Sequence, residues 1–188
     1  MRSICNVTVY ATARWFFDMN INDEIIFNLP ADFERISALE PNTLVYLSGA
    51  VYTARDQAHK RIAEALASGS KLPFDLKNAA IYYCGPTPAP KGRVIGSCGP
   101  TTSGRMDKYA PMLIENGVTV MIGKGVRNQA VIDAIKAHGA VYLSAIGGAA
   151  ALYQDCVKAC ELVAYPDLGC EAVYKLTVEN FPAVVSIK

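Results

Sequence analysis

The stretch Val118-Thr-Val-Met-Ile-Gly-Lys-Gly-Val-Arg-Asn-Gln-Ala-Val-Ile-Asp-Ala-Ile-Lys-Ala-His-Gly-Ala-Val-Tyr-Leu-Ser-Ala145 decides the fold class. Val118–Ile122 is apolar and β-prone, and Gly123-Lys-Gly125 makes a tight loop. Asn128–His138 then reads as a helix and Val141–Ala145 as a second strand. Upstream the alternation continues. Thr43–Leu47 is a strand ended by Ser48-Gly49, and Thr53–Ala67 has helical spacing with Ala54, Ala58, Ile62 and Leu66 on one stripe. Ala79–Tyr83 and Val94–Cys98 read as strands, separated by the stiff turn Gly85-Pro-Thr-Pro-Ala-Pro-Lys-Gly92. A helix is expected over Lys108–Asn116, with Gly117 at its end. Downstream, Gly147-Gly148 is a turn and Ala149–Ala159 a helix, followed by strand-like runs at Leu162–Tyr165, Tyr174–Val178 and Ala183–Ile187. Strands alternating with helices, then clustering, predict a layered α/β domain with a mixed sheet.

Bulk properties exclude several roles. The chain has 188 residues, 52% of them hydrophobic, and a net charge of +1. That length suits one domain, and the charge argues against nucleic acid as the main partner. No apolar run approaches the roughly 20 residues of a membrane span, so no membrane is expected as partner. Six cysteines (Cys5, Cys84, Cys98, Cys156, Cys160, Cys170) show neither a CxxC pair nor zinc spacing. They read as small buried thiols, with Cys156 and Cys160 on one helix face, and free thiols imply a reducing compartment, most simply the cytoplasm. Residues 1–18 read as an N-terminal arm, or as sequence upstream of a start at Met19, and both readings stand. Residues 19–188 read as a single domain.

The chemistry concentrates in Gly99-Pro-Thr-Thr-Ser-Gly-Arg-Met-Asp107. A strand feeding such a loop and then a helix offers free backbone N–H groups to an anion. Arg105 should lie in the first turn of the following helix, where a cation faces the positive end of the dipole at a cost of about 0.3–1 kcal/mol. Arg55 repeats the arrangement at the start of the Thr53–Ala67 helix. Two arginines so placed suggest a bound anion, and each guanidinium can hold a carboxylate through two hydrogen bonds. The plainer reading pairs Arg55 with Asp56 or Glu64, and Arg105 with Asp107 or Glu115, as surface salt bridges. Lys124 lies between two glycines directly after a strand, where ligands collect in an open α/β sheet, or is an ordinary turn lysine. His59, one turn beyond Arg55, could bond a ligand, orient Arg55 or do neither. Thr101, Thr102 and Ser103 are candidate hydroxyls, one of which caps the helix. Gly99-x-x-x-x-Gly104-Arg-Met106 only mimics a nucleotide-binding loop, because the required lysine and Ser/Thr are Arg105 and Met106.

Taken in order, Tyr46-Leu-Ser-Gly49, Tyr52-Thr-Ala-Arg-Asp-Gln-Ala-His-Lys-Arg61, Pro73-Phe-Asp-Leu76, Tyr83-Cys-Gly-Pro-Thr-Pro-Ala-Pro90 and Ile95-Gly-Ser-Cys-Gly-Pro-Thr-Thr-Ser-Gly-Arg-Met-Asp-Lys-Tyr109 form a distinctive series. Asn116-Gly-Val, Met121-Ile-Gly-Lys-Gly125, Ala145-Ile-Gly-Gly-Ala-Ala150 and Tyr165-Pro-Asp-Leu-Gly169 complete it. Over roughly residues 40–187 the chain resembles the beta subunit, or equivalent C-terminal domain, of class I iron–sulfur fumarate hydratases and the related tartrate dehydratases. The resemblance implies a swivelling three-layer β/β/α domain and reversible hydration of fumarate to L-malate at a site shared between two domains. It implies an alpha-subunit partner whose own cysteines carry a four-iron four-sulfur cluster, and a homodimer of the alpha–beta unit. One iron of that cluster would act as a Lewis acid. Carried over by motif, Arg55 and Arg105 would clamp the substrate carboxylates, Lys124 would neutralise further charge and Thr101 would be the base. No metal ligand falls on this chain. Alternatives are an L-tartrate or methyl-substituted hydroxy-acid dehydratase, or a non-catalytic dicarboxylate-binding module. Two departures from the family stand out: residues 1–18 have no counterpart, and the chain stops at Lys188 where relatives run on.

Overall fold

A computed structural model describes residues 26–188, so the expected arm at 1–18 lies outside the described residues. Its elements in chain order begin with β1 (Ile26–Leu29), α1 (Phe33–Ser37), β2 (Leu44–Thr53), α2 (Asp56–Ser68) and β3 (Ala79–Tyr82). After a 3-10 turn at Ser103–Met106 come α3 (Ala110–Glu115), β4 (Val118–Gly123), α4 (Gln129–His138), β5 (Val141–Ser144) and α5 (Ala150–Cys156). β6 (Val157–Ala164), a second 3-10 segment (Pro166–Glu171) and β7 (Val173–Ile187) end the chain.

β1 to β5 are parallel neighbours in order, while β7 runs antiparallel to β2, β5 and β6. Pairing therefore passes from β2 through β3, β4, β5 and β7 and returns to β2. The middle strands are apolar on both faces. Along β3, Ala80 and Tyr82 enter one core while Ala79 and Ile81 enter another. The first core lies among the strands and takes Val45, Leu47 and Val51 from β2, and Leu176, Val178 and Phe181 from β7. The second lies under α2, α3 and α4, fed by Ala58 and Ile62, Leu113 and Ile114, and Val131 and Ile135. Each of the larger side chains, Val, Leu, Ile and Phe, contributes about 1.5–3 kcal/mol of burial. Strand, strand and helix layers result: an α/β domain with a mixed sheet, as expected.

The differences are local. Val94–Cys98 is buried in part but joins no strand. Ile95 and Cys98 enter the first core while Gln154 Nε2 donates to the Ile95 carbonyl and Gly96 N donates to the Thr87 carbonyl. The helix expected at Ala149–Ala159 ends at Cys156. Cys160 therefore sits on β6, and the two cysteines do not share a helix face. The runs at Tyr174–Val178 and Ala183–Ile187 are one strand. α3 starts at Ala110 rather than Lys108. β1, unanticipated, pairs with the first half of β2 on the edge that β3 takes farther along, and α1 packs against β1.

Candidate active site

Parallel strands carry their C-terminal ends to one edge, and the loops leaving that edge carry the residues singled out from sequence. β2 ends at Thr53. Ala54 N donates to the Tyr82 carbonyl at 3.2 Å, and Arg55 follows in extended backbone as the cap of α2. β3 ends at Tyr82, and the next carbonyl, that of Tyr83, accepts from Thr101 N at 2.6 Å. Cys84 bridges Pro100. β4 ends at Gly123, Lys124 N donates to the Thr101 carbonyl at 3.3 Å, and Ser103 N donates to the Lys124 carbonyl at 2.8 Å. Thr101 is thus stitched by its backbone between the ends of β3 and β4, beside Lys124. A Cβ on Gly123 would collide with Ser103 Oγ, so glycine lets the loop lie this close.

Arg105 comes from the 3-10 turn Ser103–Met106, not from the first turn of an α-helix. The macrodipole argument therefore does not apply to it, and its position has another cause. Its Nε donates to Asp56 Oδ1 at 3.0 Å, and its Nη2 lies 2.7 Å from Asp56 Oδ2. Asp56 is the residue after Arg55, so this pair brings the two arginines to one helix start.

At Arg55 the dipole argument holds, yet the anion found there belongs to the chain. Glu171 Oε2 accepts from Gln57 N at 2.9 Å, and Glu171 Oε1 lies 3.6 Å from Arg55 Nη2. The carboxylate is stabilised by the free N–H groups and positive end of α2. Neither arginine pairs as the plain sequence reading had it: the partners are Glu171 and Asp56, while Asp107 bonds Arg127 and Glu64 faces Lys60. The Arg55 side chain passes over Gly85, where a Cβ would strike its Nη1. Its Nε is buried without a hydrogen-bond partner. Lys124 joins none of the ion pairs among the described residues, and its stem lies against Gly147. Arg55, Arg105 and Lys124 against Asp56 and Glu171 leave this edge one positive charge in excess.

His59 is fully buried and cannot reach a ligand at the edge. Its Nδ1 bonds the Arg55 carbonyl at 3.0 Å and its ring meets the Tyr83 ring edge-on at 5.2 Å. Burial pushes its pKa down to about 4, so the imidazole is neutral and donates from Nδ1. Beneath the loops lies a network that sequence reading missed. Arg127 Nε donates to Asp107 Oδ1 at 2.7 Å, and its guanidinium sits over the Tyr83 and Tyr142 rings. Asn128 N donates to Asp107 Oδ2, and Tyr142 OH donates to the Gly125 carbonyl. These groups pair across tens of residues and leave no local sequence signal.

Among the described residues, no group of three or more His, Cys, Asp or Glu side chains could hold a metal ion. Cys84 and Cys98 are free and fully buried, and hydrogen bonding to Cys98 together with burial raises the Cys84 thiol well above its usual range. The described residues do not fit an iron–sulfur cluster. The Arg55–Lys124 edge is open: a cavity of about 380 Å³ lined by Pro86, Ile95, Cys170 and Tyr174 lies next to it, but takes in none of Arg55, Thr101, Arg105 and Lys124.

The sequence model of the family described as "Fumarase C-terminus" matches residues 13–188. The chain belongs to this family. It is 44% identical over 155 residues to the aerobic class I fumarate hydratase of Escherichia coli strain K12, covering 81% of this chain and 28% of that protein. It is 43% identical over 156 residues to fumarate hydratase 2 of Leishmania major, covering 82% and 28% respectively. A putative L(+)-tartrate dehydratase subunit beta from Methanocaldococcus jannaschii is 40% identical over 158 residues, which is 81% of each chain. This Fumarase C-terminus chain thus spans 28% of the length of the two fumarate hydratases and most of the length of the subunit.

Proposed function

We propose that this chain is the beta-type part of a hydro-lyase that reversibly hydrates fumarate to L-malate, active together with an alpha subunit that carries a four-iron four-sulfur cluster. The observation that carries the reading is convergence. Loops from the ends of β2, β3 and β4 bring Arg55, Thr101, Arg105 and Lys124 to one open edge of a Fumarase C-terminus domain. A C4 dicarboxylate needs two cationic ends, and Arg55 and Arg105 supply them. Lys124 supplies the excess charge that draws a dianion in. Thr101, next to Lys124 along the backbone, is the proposed base. In the dehydration direction its alkoxide takes the proton from the carbon beside the hydroxyl and becomes the neutral alcohol, while the hydroxyl leaves with its bonding electron pair; in the hydration direction the alcohol returns the proton. The cluster belongs to the partner in this reading, and no step of this chain's own chemistry runs through it. In this reading the partner's surface closes over the edge. The described cysteines are free thiols, with Cys84 and Cys98 buried, Cys156 and Cys160 half-buried and Cys170 exposed, and free thiols suit a reducing cytoplasm. Among the described residues no helix is long and apolar enough to cross a membrane. A homodimer of the alpha–beta unit completes the proposal.

Mixing the chain anaerobically with a cluster-bearing alpha subunit should give turnover, followed by loss of fumarate absorbance. No turnover with the partner's cluster intact overturns the proposal. Arg105→Ala, which leaves a substrate carboxylate unpaired, should lower kcat/KM on the order of 100-fold or more. Retention of most of the activity would remove Arg105 from the site.

L-tartrate dehydration is the second reading, favoured by the similarity in extent to the M. jannaschii tartrate dehydratase subunit beta. A substrate panel of fumarate, malate, tartrate and methyl-substituted hydroxy acids separates the two. A dicarboxylate-binding module would bind malate without a partner. Asp56 and Glu171 already offset two of the three cations, so calorimetry on the chain alone should show only weak binding.

A further inference from the structure

We infer that Asp56 is a positioning residue for Arg105, holding one edge of the guanidinium so that the other meets a substrate carboxylate; this rests on the proposed role of Arg105. Asp56 is the first residue of α2, a helix anchored by the buried Ala58, His59, Ile62 and Ala63. Arg105 rides on a short 3-10 turn, and half of its side chain is exposed. A long, flexible side chain on a short turn loses considerable rotamer entropy when it is fixed. The stiff partner here is the helix, and the grip is side-on. Nε–H donates to Oδ1, and one side of Nη2 faces Oδ2 at 2.7 Å, too far out of line for a second hydrogen bond. A guanidinium carries five N–H donors in a rigid planar fork. The side-on grip occupies the Nε edge and leaves the Nη1 edge free for a second, coplanar carboxylate.

The site shows why the grip matters. Arg55 needs no such partner, because its side chain is confined over Gly85 and its carbonyl is tied to His59. Glu171 stands farther from Arg55, at 3.6 Å, and bonds the backbone of α2 instead. Lys124 is a point charge that needs no planar alignment. Arg105 alone combines exposure with a need for orientation, and Asp56 alone contacts it among the described ion pairs.

Three roles for Asp56 predict opposite results in Asp56→Asn. Positioning predicts weaker substrate binding even though a negative charge has left the site. A resident competitor, imitating a substrate carboxylate, predicts tighter binding. A residue that only complements the start of α2 predicts unchanged kinetics and a lower melting temperature. The first measurement uses the full chain alone, labelled with nitrogen-15. The Arg105 Nε–H signal, assigned by its loss in Arg105→Lys, should exchange with water about tenfold faster in Asp56→Asn. An unchanged rate overturns the inference, whether or not the assembled enzyme turns over. The second uses the chain assembled with its cluster-bearing alpha subunit. Asp56→Asn should raise KM about tenfold and leave kcat within about threefold. Asp56→Glu should recover part of the loss, and the effect of Asp56→Asn should vanish in an Arg105→Lys background. A fall in KM, an unchanged KM, or an effect that persists beside Lys at position 105 overturns the inference. Absence of turnover by the unsubstituted assembly counts against the proposed hydratase instead, and the exchange rate still decides the Asp56–Arg105 pairing.

Discussion

His59 illustrates how a residue's chemistry follows from its surroundings. The sequence places it one turn from Arg55, which is true, but leaves its depth open. In the structure it is sealed among Ala58, Tyr83 and Tyr109, with Nδ1 committed to the Arg55 carbonyl. Desolvation dominates and lowers its pKa from 6.5 to about 4. The unfolded chain therefore binds more protons than the native one between those values, so stability is complete above pH 6.5 and is lost as pH falls toward 4. Between pH 7 and 5 this group should remove about 1–2 kcal/mol, read by urea unfolding at the two pH values. His59→Gln, which keeps a donor for the carbonyl, should flatten that difference; an equal drop in both proteins would assign it to other groups. Arg55 and Arg105 teach a related lesson. Their identity and loop context were legible, since Gly, Ser and Thr around a cation point to anions. Their partners Glu171 and Asp56 were not, because the choice among nearby acids depends on which loops meet.

At the scale of elements, β3, β4, β5 and α4 fall close to where periodicity puts them: the strands are largely apolar runs, and α4 runs from the capping Asn128 to Gly139. Val94–Cys98 has the same apolar look as a strand but is held by two backbone hydrogen bonds with Thr87, by single ones from the Gln154 and Tyr82 side chains, and by one to the Ala150 carbonyl. Apolar periodicity reports burial, not ladder pairing. The sequence reads as two runs over β7 because Asn180 and Pro182 interrupt it. The strand carries them, with Asn180 at φ 51° and its N–H donating to Ser48 Oγ. The loops of the candidate site depend on the Asp107–Arg127 pair, which joins the turn bearing Arg105 to the loop bearing Lys124. Arg127→Ala leaves the Asp107 carboxylate buried without its partner and should cost about 3–5 kcal/mol. A denaturant melt checks this, and a loss below about 1 kcal/mol would mean the pair is replaceable by water.

For the whole molecule, closure is the decisive event. β7 binds β2, β5 and β6, so both cores are completed only when the last part of the chain has joined the first. Leu176 is fully buried on β7, opposite Val51 of β2 and Cys160 of β6. Leu176→Ala should destabilise the domain by about 2–5 kcal/mol while the thermal transition remains single, as followed by circular dichroism. Two separate transitions would show that the helix-covered half folds without β7. By itself the sequence determined the α/β class, the order of the middle strands and helices, and the concentration of glycine, hydroxyl and cationic residues in Gly99–Asp107, because each depends on local periodicity and residue chemistry; the free backbone N–H groups expected there are instead spent on Tyr83, Lys124, Thr102 and Gly104 carbonyls. Only the tertiary structure decided that β7 closes the sheet, that Thr101 lies beside Lys124, and that Asp56 and Glu171 face the two arginines. Those outcomes are contacts between segments far apart in the chain, and their geometry exists only once both cores have packed.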